Sequence, residues 1–299
     1  MPSVSSLEQA SKALAAAHDE GRHVRIGADL TTDGLTRILE HEEGDLTCTV
    51  EAGVRLSALN AALGRAGQRL SLDPPGDPTV GALLATNVSG PLRHRYGAPR
   101  DLVLGTTLVL ADGTVANSGG KVVKNVAGYD LARLVCGSHG RLALIVRASF
   151  RLHPAPATAR TLLVETDDAA SAVATLLGSQ LQPSALDVLH PGRVAALFEG
   201  SERAVGAQLA AVQALVGGDE ADAAVWDESR SRQAAAQGLV RFAPGDLRAV
   251  LAQTAEAVVR PAAGIAFAPS ATREERDQGV ERLLDAIRAQ LDPRGVLSA

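Results

Sequence analysis

The sequence is poor in rings: 2% of its 299 residues are aromatic, with a single Trp, so few side chains can stack on a ligand. It is also poor in cysteine. Cys48 and Cys136 lie far apart in apolar surroundings, without a C-x-x-C or a metal-ligand spacing; that excludes a disulfide framework and reads as two small buried hydrophobes. The histidines are scattered, and no H-x-x-x-H or H-E-x-x-H pair offers a metal site. No apolar run approaches the roughly 20 residues a bilayer demands, and the opening MPSVSSLEQASKALAAAHDEGR lacks the apolar centre of a signal peptide. A cytoplasmic protein without a transmembrane segment is expected. The net charge of −5 comes from interspersed acids and bases, which leaves no basic footprint for nucleic acid and no polybasic membrane patch. Small molecules and other proteins remain as partners.

What is present is an ordinary globular composition, 46% hydrophobic and 21% charged, long enough for two domains with cores of their own. Ser5 and Glu8 predict a capping box before a helix on Leu7, Ala10 and Leu14, ended by the turn Asp19-Glu20-Gly21. VRI predicts a short strand, GLTRILEH a short helix, and LTCTVEAG a half-buried strand with Leu46, Cys48 and Val50 on one face. A helix through Leu56, Leu59 and Leu63 stops at Gly67. DLVLGTTLVLADGTV reads as two strands reversing at Ala111-Asp112-Gly113. ALIVRASFRLHP alternates, placing Leu144, Val146, Ala148, Phe150 and Leu152 together. The prolines of HPAPATAR then set a boundary between a domain at 1–154 and a smaller α+β domain at 155–299.

Two glycine-rich regions, 73–105 and 118–140, lie between these strands. Glycine lets the backbone take positive φ and lets a ligand approach its amides, and successive amides in turns make concave anion sites. The familiar nucleotide loops are absent. A Walker A loop would need Gly where Val115 stands and Ser or Thr where Val122 stands; no G-x-G-x-x-G occurs, and Ser138 is not in a G-x-S-x-G.

KNVAGYDLARLVCGSHGRLALIVRASFRLHP, with DPPGDPTVGALLATNVSGPLRHRYGAPRDLVLG, resembles the FAD-binding core of the vanillyl-alcohol oxidase and p-cresol methylhydroxylase (PCMH) superfamily. Within it the chain is most similar to the smaller FAD-binding subunits of bacterial glycolate oxidases. The resemblance runs from about Leu35 to Pro154, thins through ALDVLHPGRVAALFEGSE and returns in AIRAQLDPRGVLS. It implies an α+β, PCMH-type FAD-binding fold: two α+β subdomains with an extended FAD between them, then a shortened α+β cap. Carried over by position, Pro75, Gly76, Thr79, Val80 and Gly81 would lie along the flavin and diphosphate. Thr86, Asn87, Ser89 and Gly90 would add further contacts, with Arg95, Tyr96 and Gly97 in the next turn. Gly128, Tyr129, Asp130, Gly137, Gly140 and Ile145 would enclose the ADP side. Lys124 and Asn125 read equally as a solvated pair or as ligand contacts, His139 as exposed loop, and Arg95 and Arg100 as surface or ion-pair residues.

The chain also departs from that family. Relatives place a P-x-G-G-G-T loop after the first strand, whereas RIGADLTTDGLTRILEH predicts strand running almost directly into helix, with the loop missing. Ala82 replaces the second glycine of a pair, the cap is short around AAGIAFAPSATREE, and the tail ends at VLSA. Oxidising a 2-hydroxy acid needs a base and a cation, and no residue is singled out for catalysis. The resemblance implies an FAD-dependent glycolate-type oxidase subunit working with a larger FAD-binding subunit and an iron-sulfur subunit. The alternatives are a flavin-free or weakly binding scaffold subunit and a free-standing flavin oxidase.

Overall fold

A computed structural model describes residues 3–120, 130–270 and 278–298. The first helix, Leu7–Asp19, is capped by Ser6, whose hydroxyl accepts from the Gln9 amide. Ser5 bonds the Gln9 side chain and Glu8 pairs with Lys12, so the box predicted for Ser5 and Glu8 sits one residue later. GLTRILEH is not helical. Ile38–Glu42 is a strand antiparallel to Thr47–Glu51, with Ile38 opposite Val50 and His41 opposite Cys48. An isolated eight-residue helix is marginal in water, and the neighbouring strand offers this backbone a full set of partners. The buried Glu51 carboxylate adds to that by accepting from the amide and guanidinium of Arg37.

These two strands begin a five-stranded antiparallel sheet that continues through Leu144–Arg151, Val103–Val109 and Val115–Gly119. The strand Leu144–Arg151 does not keep one face. Leu144 and Val146 pack with Leu14 of the first helix, whereas Ala148, Phe150 and Leu152 join Ile145 in the core under Leu59, Leu63 and Leu83. Its register against Val103–Val109 shifts between Thr107 and Leu108, and such a bulge exchanges the two faces of a strand. Both faces of the sheet are therefore covered. Burial pushes the thiols of Cys48 and Cys136 up to about 12, so both stay protonated near neutral pH.

Beyond the Pro154–Pro156 seam, Thr158–Glu165 opens a second, seven-stranded antiparallel sheet. Helices Ala169–Leu177 and Glu202–Val216 cover one face through Val173, Leu176, Val205 and Leu209. Trp226, on the helix Ala224–Ala235, packs on the other face and donates its indole N–H to Thr161 Oγ1. The chain end returns to the first half: Ile287 and Leu291 pack on the first core, and Leu297–Ser298 pairs in parallel with Val24–Arg25. We propose the seam as the junction of two folding units, 1–154 and 155–299, with this last segment as a strap between them. No helix among the described residues is long and apolar enough to cross a membrane.

The halves meet through buried charge. Arg260, 2% exposed, donates to the Ser89 carbonyl and to Gln233 Oε1, while Gln233 Nε2 donates to the same carbonyl. Asp187 lies 3.5 Å from Arg260 Nε and accepts from the Ser229 hydroxyl. Asp73 accepts from the Leu92 amide and lies 3.6 Å from Arg230. Burial pushes the Asp73 carboxyl up to about 7, against the pull of the Leu92 amide, Arg260 and Arg230. A carboxyl whose folded pKa is raised contributes stability in its protonated form, fully present below about pH 4 and lost as the pH rises through 7. Wild type is therefore expected to lose a few kcal/mol of this contribution between pH 4 and 7. Asp73→Asn should flatten that slope in urea titrations across the same range, and an unchanged slope would refute the assignment.

Candidate cofactor site

Four segments enclose a cleft of about 410 Å³ on the first half. The first is the turn from Ile26 to Asp33, which follows the strand Val24–Arg25. A loop therefore follows this strand, without the P-x-G-G-G-T glycines of the relatives. It is a tight turn built from ADLTTDG rather than glycines, and Arg25 and Asp29 clasp its base. Thr31, Thr32 and Asp33 form its wall, in a stretch where strand was expected to run almost directly into helix.

The second wall is Arg55, ahead of the helix Leu56–Leu63, and the third runs from Pro78 to Thr86. The two are zipped together: the Leu56 amide donates to Pro78 O and the Val80 amide to Val54 O. Thr79 caps the helix Val80–Thr86 by accepting from the Ala82 amide. The fourth wall, His139 to Ile145, is pinned by bonds from the Gly137 amide to Leu84 O and from the His139 amide to Ala85 O. Gly140 has φ +77°, and a β-carbon there would sit 2.7 Å from Ile26 Cβ, so this glycine permits the first and fourth walls to touch. At Gly81 a β-carbon would meet Ala52 and lie 3.5 Å from Thr32 Oγ1.

Of the residues expected at the site, Thr79, Gly81, Thr86, Gly140 and Ile145 line this cleft. Pro75 and Gly76 lie elsewhere, in a shallow depression with Arg230 and Ser231. Val80 is fully buried in the core. Asn87 takes a left-handed helix-ending conformation and accepts from the Arg100 amide. Ser89 and Gly90 form the turn held by Arg260 and by Asp73. Arg95 and Tyr96 join a junction cluster in which Tyr96 donates to Glu199, itself paired with Arg69, and Gly97 packs on Asp101. Asp130 caps the helix Leu131–Val135, and Gly137 abuts Asn87. Gly128 and Tyr129, like Lys124 and Asn125, lie outside the described residues. Sequence reasoning missed Ile26, Thr31, Thr32, Asp33 and Arg55; the one available signal was the run TTDG following Gly27.

The donors suit an anionic nucleotide. The amides of Thr32, Asp33 and Gly140 have no protein partner among the described residues, and Thr31, Thr32 and Thr79 bring hydroxyls. Ile26, Ala82, Ala143 and Leu144 supply an apolar lining without an aromatic ring. Residues 3–119 match the family model described as "FAD binding domain". This chain carries an FAD-binding domain. FAD is its cofactor, and the unspent amides, hydroxyls and apolar walls of the cleft fit that molecule.

The flavoprotein is similar to the glycolate oxidase subunit GlcE of Escherichia coli (strain K12), 34% identical over 201 residues that cover 66% of this chain and 56% of that one. It is similar to the glycolate oxidase subunit GlcD of Bacillus subtilis (strain 168), 37% identical over 52% of this chain and 34% of that one. A D-lactate dehydrogenase of Archaeoglobus fulgidus is 43% identical over 43% of this chain and 29% of its own length. The chain thus spans little more than half of the first of these relatives and about a third of the others. Among solved structures, an alkyldihydroxyacetonephosphate synthase superposes over 99% of this chain and 74% of its own, with a TM-score of 0.74 at 17% identity, which shows the shared α+β fold.

Proposed function

We propose that this flavoprotein is an oxidoreductase subunit that takes part in oxidising a 2-hydroxy acid of the glycolate type, in the cytoplasm. Its partners in this reading are a larger FAD-binding subunit and an iron-sulfur subunit that passes electrons on. Relatedness to glycolate oxidase subunits and D-lactate dehydrogenases supports the substrate class. The observation that carries the proposal is the cleft itself, where the unspent amides of Thr32, Asp33 and Gly140 stand among threonine hydroxyls.

In this reading the amides of Thr32, Asp33 and Gly140 and the hydroxyls of Thr31 and Thr79 hold the diphosphate. Ile26, Ala82, Ala143 and Leu144 exclude water from the apolar parts of the cofactor. Bound FAD supplies a two-electron acceptor. Among the described residues no cluster of three or more His, Cys, Asp or Glu gathers in a metal-holding arrangement. We place the groups that bind and deprotonate the substrate on the larger subunit.

The protein is expected to purify yellow and to release FAD on denaturation. FAD at about 100 times its Kd should stabilise the depleted protein by roughly 2.7 kcal/mol in thermal melts. Co-purification with a larger flavoprotein and an iron-sulfur protein, together with 2-hydroxy-acid oxidation only in their presence, tests the complex. A colourless chain that FAD does not stabilise would overturn the proposal.

A further inference from the structure

A diphosphate is commonly met by the backbone amides of a tight loop or a helix N-terminus. In this cleft most of those donors are already used. The amides of Ala28, Asp29 and Leu30 bond Arg25 O, that of Gly27 bonds Leu30 O, and those of Val80 and Gly81 bond Val54 O and Ala52 O. The Ala82 amide is taken by Thr79.

Arg55 stands out against this spent backbone. Its Nη1 donates to the Asp77 carbonyl at 2.7 Å, and its Nε and Nη2 have no partner among the described residues. The neighbouring carboxylate, Asp77, feels the Arg55 charge, but its hydrogen bonds go to the amide and hydroxyl of Ser57. Asp33, the carboxylate lining the cleft, makes no ion pair with Arg55 among the described residues. A guanidinium with its carboxylate neighbour occupied elsewhere, fixed by one bond at the lip of a hydroxyl-lined cleft, is placed to receive a bidentate anion.

We infer that Arg55 supplies the counter-charge for the FAD diphosphate, donating from Nε and Nη2 in place of the spent amides. This rests on FAD occupying the cleft, and the test separates the two ideas. FAD, ADP and riboflavin are titrated into flavin-depleted wild type, Arg55→Gln and Arg55→Lys at low and high salt, following flavin fluorescence and displacement of FAD by ADP. Arg55→Gln should weaken FAD and ADP binding roughly 10- to 100-fold, as expected for losing bonds to a charged group, and should reduce the salt dependence. Riboflavin, which has no phosphate, should be unaffected. Arg55→Lys should recover part of the loss, because a point charge replaces a fork. Because the Arg55 side chain is exposed and makes a single bond, to the Asp77 carbonyl, melting without flavin should change little. An Arg55→Gln protein that binds FAD within twofold of wild type, with the same salt slope, refutes the role of Arg55 alone. A wild type that takes up neither FAD nor ADP refutes the cleft assignment and this inference with it.

Discussion

Arg260→Met is expected to lose about 3–5 kcal/mol of stability in urea titrations, the usual result of removing one member of a buried ion pair. Arg260 is 2% exposed and Asp187 fully buried, so the substitution leaves a carboxylate in the interior with only the Ser229 hydroxyl as a donor. Burial already holds the Asp187 carboxyl above its ordinary range, and Arg260 is the strongest influence opposing that shift. Without the guanidinium, only the Ser229 hydroxyl and, at longer range, Arg230 oppose the burial penalty on Asp187. The Ser89 carbonyl would keep its bond from Gln233 but lose the one from Arg260, loosening the tie between the halves. Replacing both charges, as in Asp187→Leu with Arg260→Met, should recover most of the loss, because two apolar groups leave no unpaired charge. A single variant within 1 kcal/mol of wild type would show that water or another group compensates Asp187.

Gly90→Ala is expected to be similarly severe, while Gly76→Ala should be mild. A β-carbon at Gly90 would lie 1.8 Å from the Asp73 carbonyl and 2.4 Å from its carboxylate, so the chain at 73 and the chain at 90 would have to part. That breaks the Leu92–Asp73 bond and the turn that Arg260 holds. Overpacking usually costs about 1–3 kcal/mol, and the closeness of backbone to backbone here puts the expectation at or above that range. Gly76 has φ +70° but open space around it, so alanine there should cost about 1–2 kcal/mol from the left-handed backbone alone. Urea midpoints of the two variants compare the effects directly. Equal losses would mean that the contact between 73 and 90 relaxes freely. Both glycines were expected along the cofactor, and the contrast separates a glycine required by chain crossing from one required by φ.

Much of the site's frame was legible because it rests on local rules. The helix through Leu56, Leu59 and Leu63 closes at a left-handed Gly67, and the paired runs around Ala111-Asp112-Gly113 are a hairpin; both follow from backbone chemistry within a few residues. The misreadings share one cause. GLTRILEH has helical spacing, yet Ile38–Glu42 pairs with Thr47–Glu51, the next strand along the chain, which satisfies its backbone while Glu51 fixes Arg37. The alternation in Leu144–Arg151 is genuine in sequence but crosses a bulge set by a neighbouring strand, so half of it serves a different core.

By itself the sequence determined the chemistry on offer: glycines where the chain must turn, threonines and an arginine able to meet an anion, and an FAD-binding identity carried by residue pattern. Tertiary structure alone decided which of those groups are available. A backbone amide is a donor to a ligand only if no carbonyl has taken it, and an arginine is a counter-ion only if no carboxylate has claimed it. Both depend on partners distant in sequence, as when Val80 and Gly81 give their amides to Val54 and Ala52 while Arg55 keeps two donors unspent.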